Sequence, residues 1–459
     1  LSEDTRKQQA LALQGGMKAV SGIEGQGEPK IGVEEFMSLA ERFGFSEGTL
    51  AKIESAVKAE DMGAGPFLGN YYADMPETKN QAFQRAAREM FDVPYALAVS
   101  SGTGALHAAF VAAGVGPGTE VICPAIGFYA TAAAVVMARG VPIFCDVDES
   151  LHMDPKKIES LITPRTVALA PTHVMGGVCD MDPILEVAKS HDIKVVEDCA
   201  QTCGGTYNGR SVGSLGDIGC FSISSYKIVG GGEGGLLIMS DERLWDRANC
   251  LAEGGGLWRP DRFGPPRYEG ELFVGTNYRL SELEAAVDVP QMAKLPATLD
   301  RFRSVKNSIV EQLDTYSEIR PQKTNDADGD VGYMLRFFPE TIELGGRIVE
   351  ALNAEGVECG MRGEGGRPDW HIYHGMFPIM LRAGATKGDR PFDDPIYTSQ
   401  GGEVTYSKGD CPVADDLFDR VITIGLNQWY TATDCTNVAE GINKVLTAYC
   451  TQDPSGAKW

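Results

Sequence analysis

Three short segments carry residue types that could act together on one ligand. Ser100–Leu106 (SSGTGAL) follows an apolar run and opens an amphipathic one, so free backbone amides and the positive end of a helix converge there. A phosphate suits that spot: the Ser and Thr hydroxyls add donors, and Gly102 and Gly104 let the backbone come close. The same residues also read as an ordinary helix cap. Asp198 ends the run IKVVED, where a carboxylate emerges at the ligand edge of a sheet. It could pair with a cationic ring nitrogen, keeping the ring protonated and able to absorb electrons, or simply cap the next helix. Lys227 lies in FSISSYKIVGGGEGG, between an apolar run and a glycine-rich turn. Tyr226, Ile228 and Val229 around it point to partial burial, which suits a nucleophilic amine better than a solubilising one.

These residues need a scaffold, and the chain between Gln84 and Met239 supplies its pattern. Short apolar runs (YALAV, EVICP, PIFCDV, TVALAP, IKVVED, FSIS, GGLLIM) alternate with amphipathic stretches. That alternation predicts a mostly parallel sheet wrapped by helices, with ligands beyond the carboxyl ends of the strands. A chain of 459 residues exceeds what one core usually serves, so two lobes are expected. Residues 1–62 read as a polar helical arm, with Phe36, Leu39, Phe43, Leu50, Ile53 and Val57 at helical spacing. A Gly-rich loop or hinge is expected at 62–70. Residues 63–300 form the large domain and 301–459 a smaller α/β domain with an irregular insertion at 382–409. Residues 254–276, dense in Gly, Pro, Arg and aromatics, read as one long loop, a kind that is more often functional than idle. A helix is expected from Ser281 and a second over residues 295–315.

Composition narrows the partners. With 64 acidic against 41 basic residues, the net charge of -23 repels nucleic acid, and any anionic ligand must be held by local devices. The 11 cysteines are scattered without CxxC spacing and no apolar signal segment opens the sequence, which fits reduced thiols and a cytoplasmic location. No run approaches the roughly 20 apolar residues that span a bilayer.

Taken in order, the Gly-Thr loop, the strand-end Asp and the Ser and Lys before glycines resemble the DegT/StrS-type sugar aminotransferases. The resemblance runs from about Gly65 to Leu446 and is densest between Ala98 and Ala286; LALQGGMKAV at residues 11–20 is similar to an N-terminal motif of some members. It implies a fold-type I α/β transferase with a mostly parallel seven-stranded sheet, dependent on pyridoxal 5'-phosphate, with pyridoxamine 5'-phosphate as the half-reaction form. It further implies that Lys227 holds the cofactor as a Schiff base and that Asp198 and Gln201 contact the ring. Gly102, Thr103, Gly104 and Ser222 would serve the phosphate, and Phe128 would stack on the ring. Asn277 would reach the phosphate from a neighbouring subunit of a homodimer with shared sites. The implied activity moves an amino group from glutamate or glutamine to a keto-sugar, a nucleotide-linked keto-sugar or a keto-cyclitol.

Met175 and Cys203 depart from the family pattern near the acceptor side. His173, Trp258, Arg259 and His371 are candidate acceptor contacts, with Arg262, Arg362, Trp370 and His374 as further basic or aromatic residues nearby in sequence. Cys199 and Cys203 flank Gln201 without enough further ligands for a metal. A dehydratase of the same family would carry histidine in place of Lys227, and a non-catalytic regulatory member would have lost part of the set.

Overall fold

Short runs of apolar residues bounded by turns become strands. β1 (Tyr95–Val99), β2 (Glu120–Pro124), β3 (Val141–Cys145), β4 (Thr166–Leu169) and β5 (Lys194–Asp198) come first. β6 (Thr206–Tyr207) and β7 (Arg210–Ser211) make a separate hairpin, and β8 (Ile218–Ser222) and β9 (Gly235–Met239) complete the main sheet. Its order is β1-β9-β8-β5-β4-β2-β3. Only β9 runs antiparallel to its neighbours. β2 and β9 are buried at every residue, as a sheet covered on both faces requires. This computed structural model describes residues 10–20, 22, 29–60, 68, 77–363, 365–366, 368–386, 388 and 390–459.

Two units divide the chain, Leu1–Gly69 and Asn70–Trp459. In the first, α1 (Val33–Glu41) and α2 (Glu47–Lys58) carry the periodic apolar residues of the expected arm except Phe43, which lies in the turn between them. Ser46 caps α2 by accepting the amide of Thr49. Of the expected loop at 62–70, only Leu68 lies among the described residues.

In the second unit, α3 (Lys79–Phe91), α4 (Gly102–Ala112), α5 (Ala130–Met137), α6 (Met181–Ser190) and α7 (Glu242–Ala252) cover the sheet. Helix α4 is apolar on nearly every side, and Ala105, Ala108 and Ala109 are fully buried, so small residues let it sit flat on the strands. One core packs Phe83, Phe91 and Phe221 against the sheet, and another packs Leu106, Phe110 and Leu237.

Two helices expected after Ser281 are one, α8 (Glu282–Val310), continuous through Pro290 and Pro296. Each proline removes a backbone donor, but burial of Met292, Leu295 and Leu299 in the main core keeps the helix in place. It leads to a second, antiparallel sheet: β10 (Ile319–Pro321), β11 (Met334–Pro339), β12 (Cys359–Gly360) and β13 (Ile422–Gly425), in the order β10-β11-β13-β12. Helices α9 (Ile342–Ala354), α10 (Pro412–Arg420) and α11 (Ala432–Tyr449) accompany that sheet. The insertion at 382–409 is not idle: Phe392 and Tyr397 are buried against Val141, and Tyr406 Oη donates to the Pro142 carbonyl at 2.6 Å, covering the edge strand β3.

Candidate active site

The carboxyl ends of β1, β5 and β8 bring the first two segments together. The first turn of a helix has amides without intrahelical partners. At α4, Ser101 Oγ accepts only that of Gly104, at 3.0 Å. A Cβ on Gly102 would stand 2.8 Å from the Ser222 Cβ and 3.3 Å from its Oγ, so the glycine is what allows the β8 hydroxyl to reach the helix end. Gly102, Thr103, Gly104 and Ser222 therefore share one corner, a cradle of amides and hydroxyls suited to a phosphate.

Asp198, 2% exposed, is held from two sides. The Thr131 hydroxyl donates to Oδ2 at 2.6 Å and the Ala200 amide to Oδ1 at 3.1 Å. Burial pushes the carboxyl above its ordinary value, against the opposing pull of Thr131, Ala200 and the Lys227 charge. A buried carboxylate in that condition would be stabilised by a further cation in contact with it, such as a protonated ring nitrogen. Thr131 was not legible as a site residue; it lies inside the apolar helix α5, and only folding brings it to β5.

Lys227 follows β8 in a turn closed by its own amide on the Ser224 carbonyl at 2.9 Å. Its ammonium lies 5.4 Å from the Tyr226 ring centre and lines a cavity of about 570 Å³. Gln201, Met175, Cys203, Tyr333 and His371 share that cavity. Gln201 Oε1 accepts the Met175 amide at 2.8 Å, a bond that leaves the side-chain NH2 as the group able to donate to a ligand. Phe128 is 42% exposed, its ring 5.2 Å from that of His371. Two backbone bonds hold the latter's segment beside it, Gly127 to His371 and Tyr129 to Trp370, both 2.9 Å. Both departures from the family pattern, Met175 and Cys203, thus face the same space as Lys227, and burial pushes the Cys203 thiol up to about 12.

Residues 69–362 match the family model described as the DegT/DnrJ/EryC1/StrS aminotransferase family. The chain belongs to this family. The GDP-perosamine synthase of Caulobacter vibrioides is 35% identical over 64% of this chain and 77% of its own length. An L-glutamine:2-deoxy-scyllo-inosose aminotransferase of Micromonospora echinospora is 36% identical over 79% of this chain and 83% of its own. Among solved structures, the aminotransferase from Psychrobacter cryohalolentis superposes with a TM-score of 0.66 at 26% identity, covering 81% of this chain and 92% of that one.

Other expected contacts of this DegT/DnrJ/EryC1/StrS family member sit differently. His173 is fully buried; its Nδ1 accepts the Cys179 amide at 3.1 Å and its Nε2 lies 3.0 Å from Glu197 Oε2. With both nitrogens engaged, the ring has none left for an acceptor, so its role is to hold the β5 end. Glu197 also accepts the amides of Gly213, Leu215 and Gly216, which occupies the carboxylate that stands near His173 and Cys199.

Arg259, 6% exposed, donates to the carbonyls of Gly264 and Pro265 at 2.6 and 3.1 Å and faces Glu271 at 3.8 Å. It closes its own loop instead of reaching a ligand. Trp258 stacks edge-on against Trp245 at 5.0 Å and lines a different cavity, with Gln84 and Asn249. Arg362 is bound to Asp419, and His374 lies 3.6 Å from Asp415. Asn277 is exposed, its Oδ1 accepting the Arg279 amide at 3.0 Å.

Proposed function

We propose that this protein uses pyridoxal 5'-phosphate to move an amino group from glutamate or glutamine to a keto-sugar or keto-cyclitol, possessing one such site per subunit of a homodimer. The observation that carries the reading is that Ser222 at the end of β8 stands against Gly102 in the cradle, while Lys227, five residues on, acts by its charge on the buried Asp198 at the end of the neighbouring β5. Gly102, Thr103, Gly104 and Ser222 would hold the phosphate, Asp198 the ring nitrogen, Gln201 a polar ring edge, and Phe128 a ring face. When bound, the cofactor supplies an electron sink for bond breaking at the amino-bearing carbon.

The chain's own residues do the rest. Lys227 Nζ anchors the group and, once released, takes the proton from the donor's α-carbon and returns one to the acceptor's carbon. Asp198, held by Thr131 and Ala200, keeps its charge fixed through both halves. Asn277, exposed in the single chain, suits a reach into the neighbouring subunit's phosphate site. The division into a large domain at 63–300 and a small one at 301–459 belongs to the same reading, supported by the two separate sheets that α8 bridges. Relatives named as a GDP-perosamine synthase and as an L-glutamine:2-deoxy-scyllo-inosose aminotransferase support the acceptor class, and free cysteines, most of them buried, suit a cytoplasmic setting.

Absorption of the purified protein incubated with pyridoxal 5'-phosphate tests this. A visible band that glutamate shifts, and that Lys227→Ala abolishes, is the expected result. A colourless wild type would overturn the proposal.

A further inference from the structure

We infer that Arg336, on the second sheet, is a positioning residue for Gln201, acting through the Met175–Gly176 turn. The inference rests on the cofactor reading above and deepens it.

Arg336 lies on β11, only 3% exposed. Its Nη2 donates to the Met175 carbonyl at 3.1 Å, while Nε and Nη1 are buried without partners. A guanidinium stripped of water and given one neutral acceptor is costly: burial lowers its pKa despite the opposing charge of Asp330, and an apolar side chain of similar volume would pack there at less expense. Stability therefore does not account for the charge, and its one bond does.

That bond lands on a strained turn. Met175 has φ +52, a conformation that non-glycine residues avoid, and Gly176 follows at φ +87. A Cβ on Gly176 would come 2.8 Å from the Tyr333 ring. Both peptide units of the turn serve Gln201. The Met175 amide donates to Gln201 Oε1 at 2.8 Å, and the Gly176 amide donates to the Gln201 carbonyl at 3.1 Å.

The carbonyl that Arg336 grips belongs to the same peptide unit as the Gly176 amide. The cation thus polarises that unit and strengthens its donation to Gln201. Tyr333, three residues earlier on the approach to β11, adds its hydroxyl to the same Gln201 carbonyl at 2.8 Å. Tyr333 and Arg336 thereby hold the Gln201 main chain and the Met175–Gly176 turn, and through the Met175 amide on Oε1 that turn sets the Gln201 side-chain amide beside Lys227. With Oε1 taken by Met175, only the NH2 is left to meet an oxygen of the ring.

The pH titration of the visible band of the holoenzyme reads this out, because a donor on the ring alters its protonation. Arg336→Met, which removes a buried charge and keeps the volume, is compared with Gln201→Leu and with the double variant. Losing one well-placed hydrogen bond corresponds to a shift of about 0.5–1 pH unit. Gln201→Leu is expected to shift the midpoint by that much. Arg336→Met is expected to shift it in the same direction, and the double variant to move no further than Gln201→Leu alone. Arg336→Lys, too short to span to Met175 with the same fork, should behave as Arg336→Met.

A wild-type midpoint in both Arg336 variants, with Gln201→Leu shifted, would overturn the role of Arg336. A wild-type midpoint in Gln201→Leu would overturn the placement of the ring against Gln201, and the inference with it. Should Arg336→Met not fold, the Arg336→Lys titration decides alone.

Discussion

The Lys227 cavity and the 254–276 loop are both rich in cationic and aromatic side chains, yet they use them oppositely. At and beside the cavity, capacity is left over: the Met175 amide engages the Gln201 oxygen and not its NH2, burial raises the Asp198 carboxyl, and the Thr172 hydroxyl is buried without a partner. In the loop, the cations are bound within the chain, although Trp258 Nε1, Arg259 Nε and Asp246 Oδ1 are buried without partners. Arg259 takes two carbonyls, while Arg267 bonds Glu271 at 2.6 Å and also binds Asp246, which accepts the Tyr268 hydroxyl at 2.8 Å. The chemical character of a residue is thus a poor guide to its task. What separates a ligand site from a folded loop is whether its hydrogen bonds are already spent on the chain itself.

Substitutions can break that contrast. Lys227→Ala should lower kcat/KM for amino transfer by at least about 10³-fold with little change in unfolding midpoint, because in the proposed role the amine acts on substrate and its ring contact is with the exposed Tyr226. Comparable loss of stability and activity would contradict the distinction. Asp198→Asn removes one partner of the buried charge pair expected with the ring, a loss of about 3–5 kcal/mol. Cofactor affinity or kcat/KM, measured by titration and steady-state rates, should fall correspondingly, by about 10²–10⁴-fold.

Arg259→Ala should do the reverse. Urea unfolding is expected to show a loss of about 2–3 kcal/mol from its charged hydrogen bonds. kcat/KM should change by less than about threefold, under about 0.7 kcal/mol of barrier. A large kinetic effect at wild-type stability would place Arg259 on the ligand after all.

The smallest effect sharpens the comparison from within the Lys227 region. Gly231 and Gly232, just after the lysine, rest against Asp288 and Glu284 of α8; a Cβ on either would stand 2.6 or 2.4 Å from a carboxylate oxygen. Asp288 is fully buried with both oxygens unpartnered, and burial followed by the Glu284 charge raises it to about 7. The folded state therefore keeps this proton to higher pH than the unfolded chain, whose carboxyl titrates near ~3.9. The associated stability is fully present below that lower value and is lost as pH rises through about 7. Asp288→Asn, which cannot ionise, should raise the melting temperature more at pH 8 than at pH 5. Equal gains at the two values would show that the carboxyl is not protonated in the fold.

Much of the site was legible because its parts sit at strand ends, where run length, a following glycine and a lone charge are local signals. The main sheet followed from the same runs. Thr131 was missed because nothing near it in sequence distinguishes it from the rest of an apolar helix. Arg336 was missed for a similar reason: a lone arginine in MLRFFP has no mark of what it will touch. His173 and Arg259 were read as acceptor contacts because residue type does not reveal which neighbours will consume their hydrogen bonds. The two helices expected after Ser281 proved to be one because prolines weigh heavily in local reading, while the packing that holds Leu295 and Leu299 acts at a distance.

The sequence by itself determined the family and the alternating α/β order, and it singled out Lys227 and Asp198 as the candidate anchor and acid. Those features depend on spacing along the chain and on covalent residue chemistry, which folding does not alter. Tertiary structure alone decided that Thr131 steadies Asp198, that Arg259 closes its own loop, and that the second sheet reaches Gln201 through Met175. Each of these joins residues far apart in sequence, and hydrogen-bond geometry over about 3 Å is set by packing, not by order along the chain.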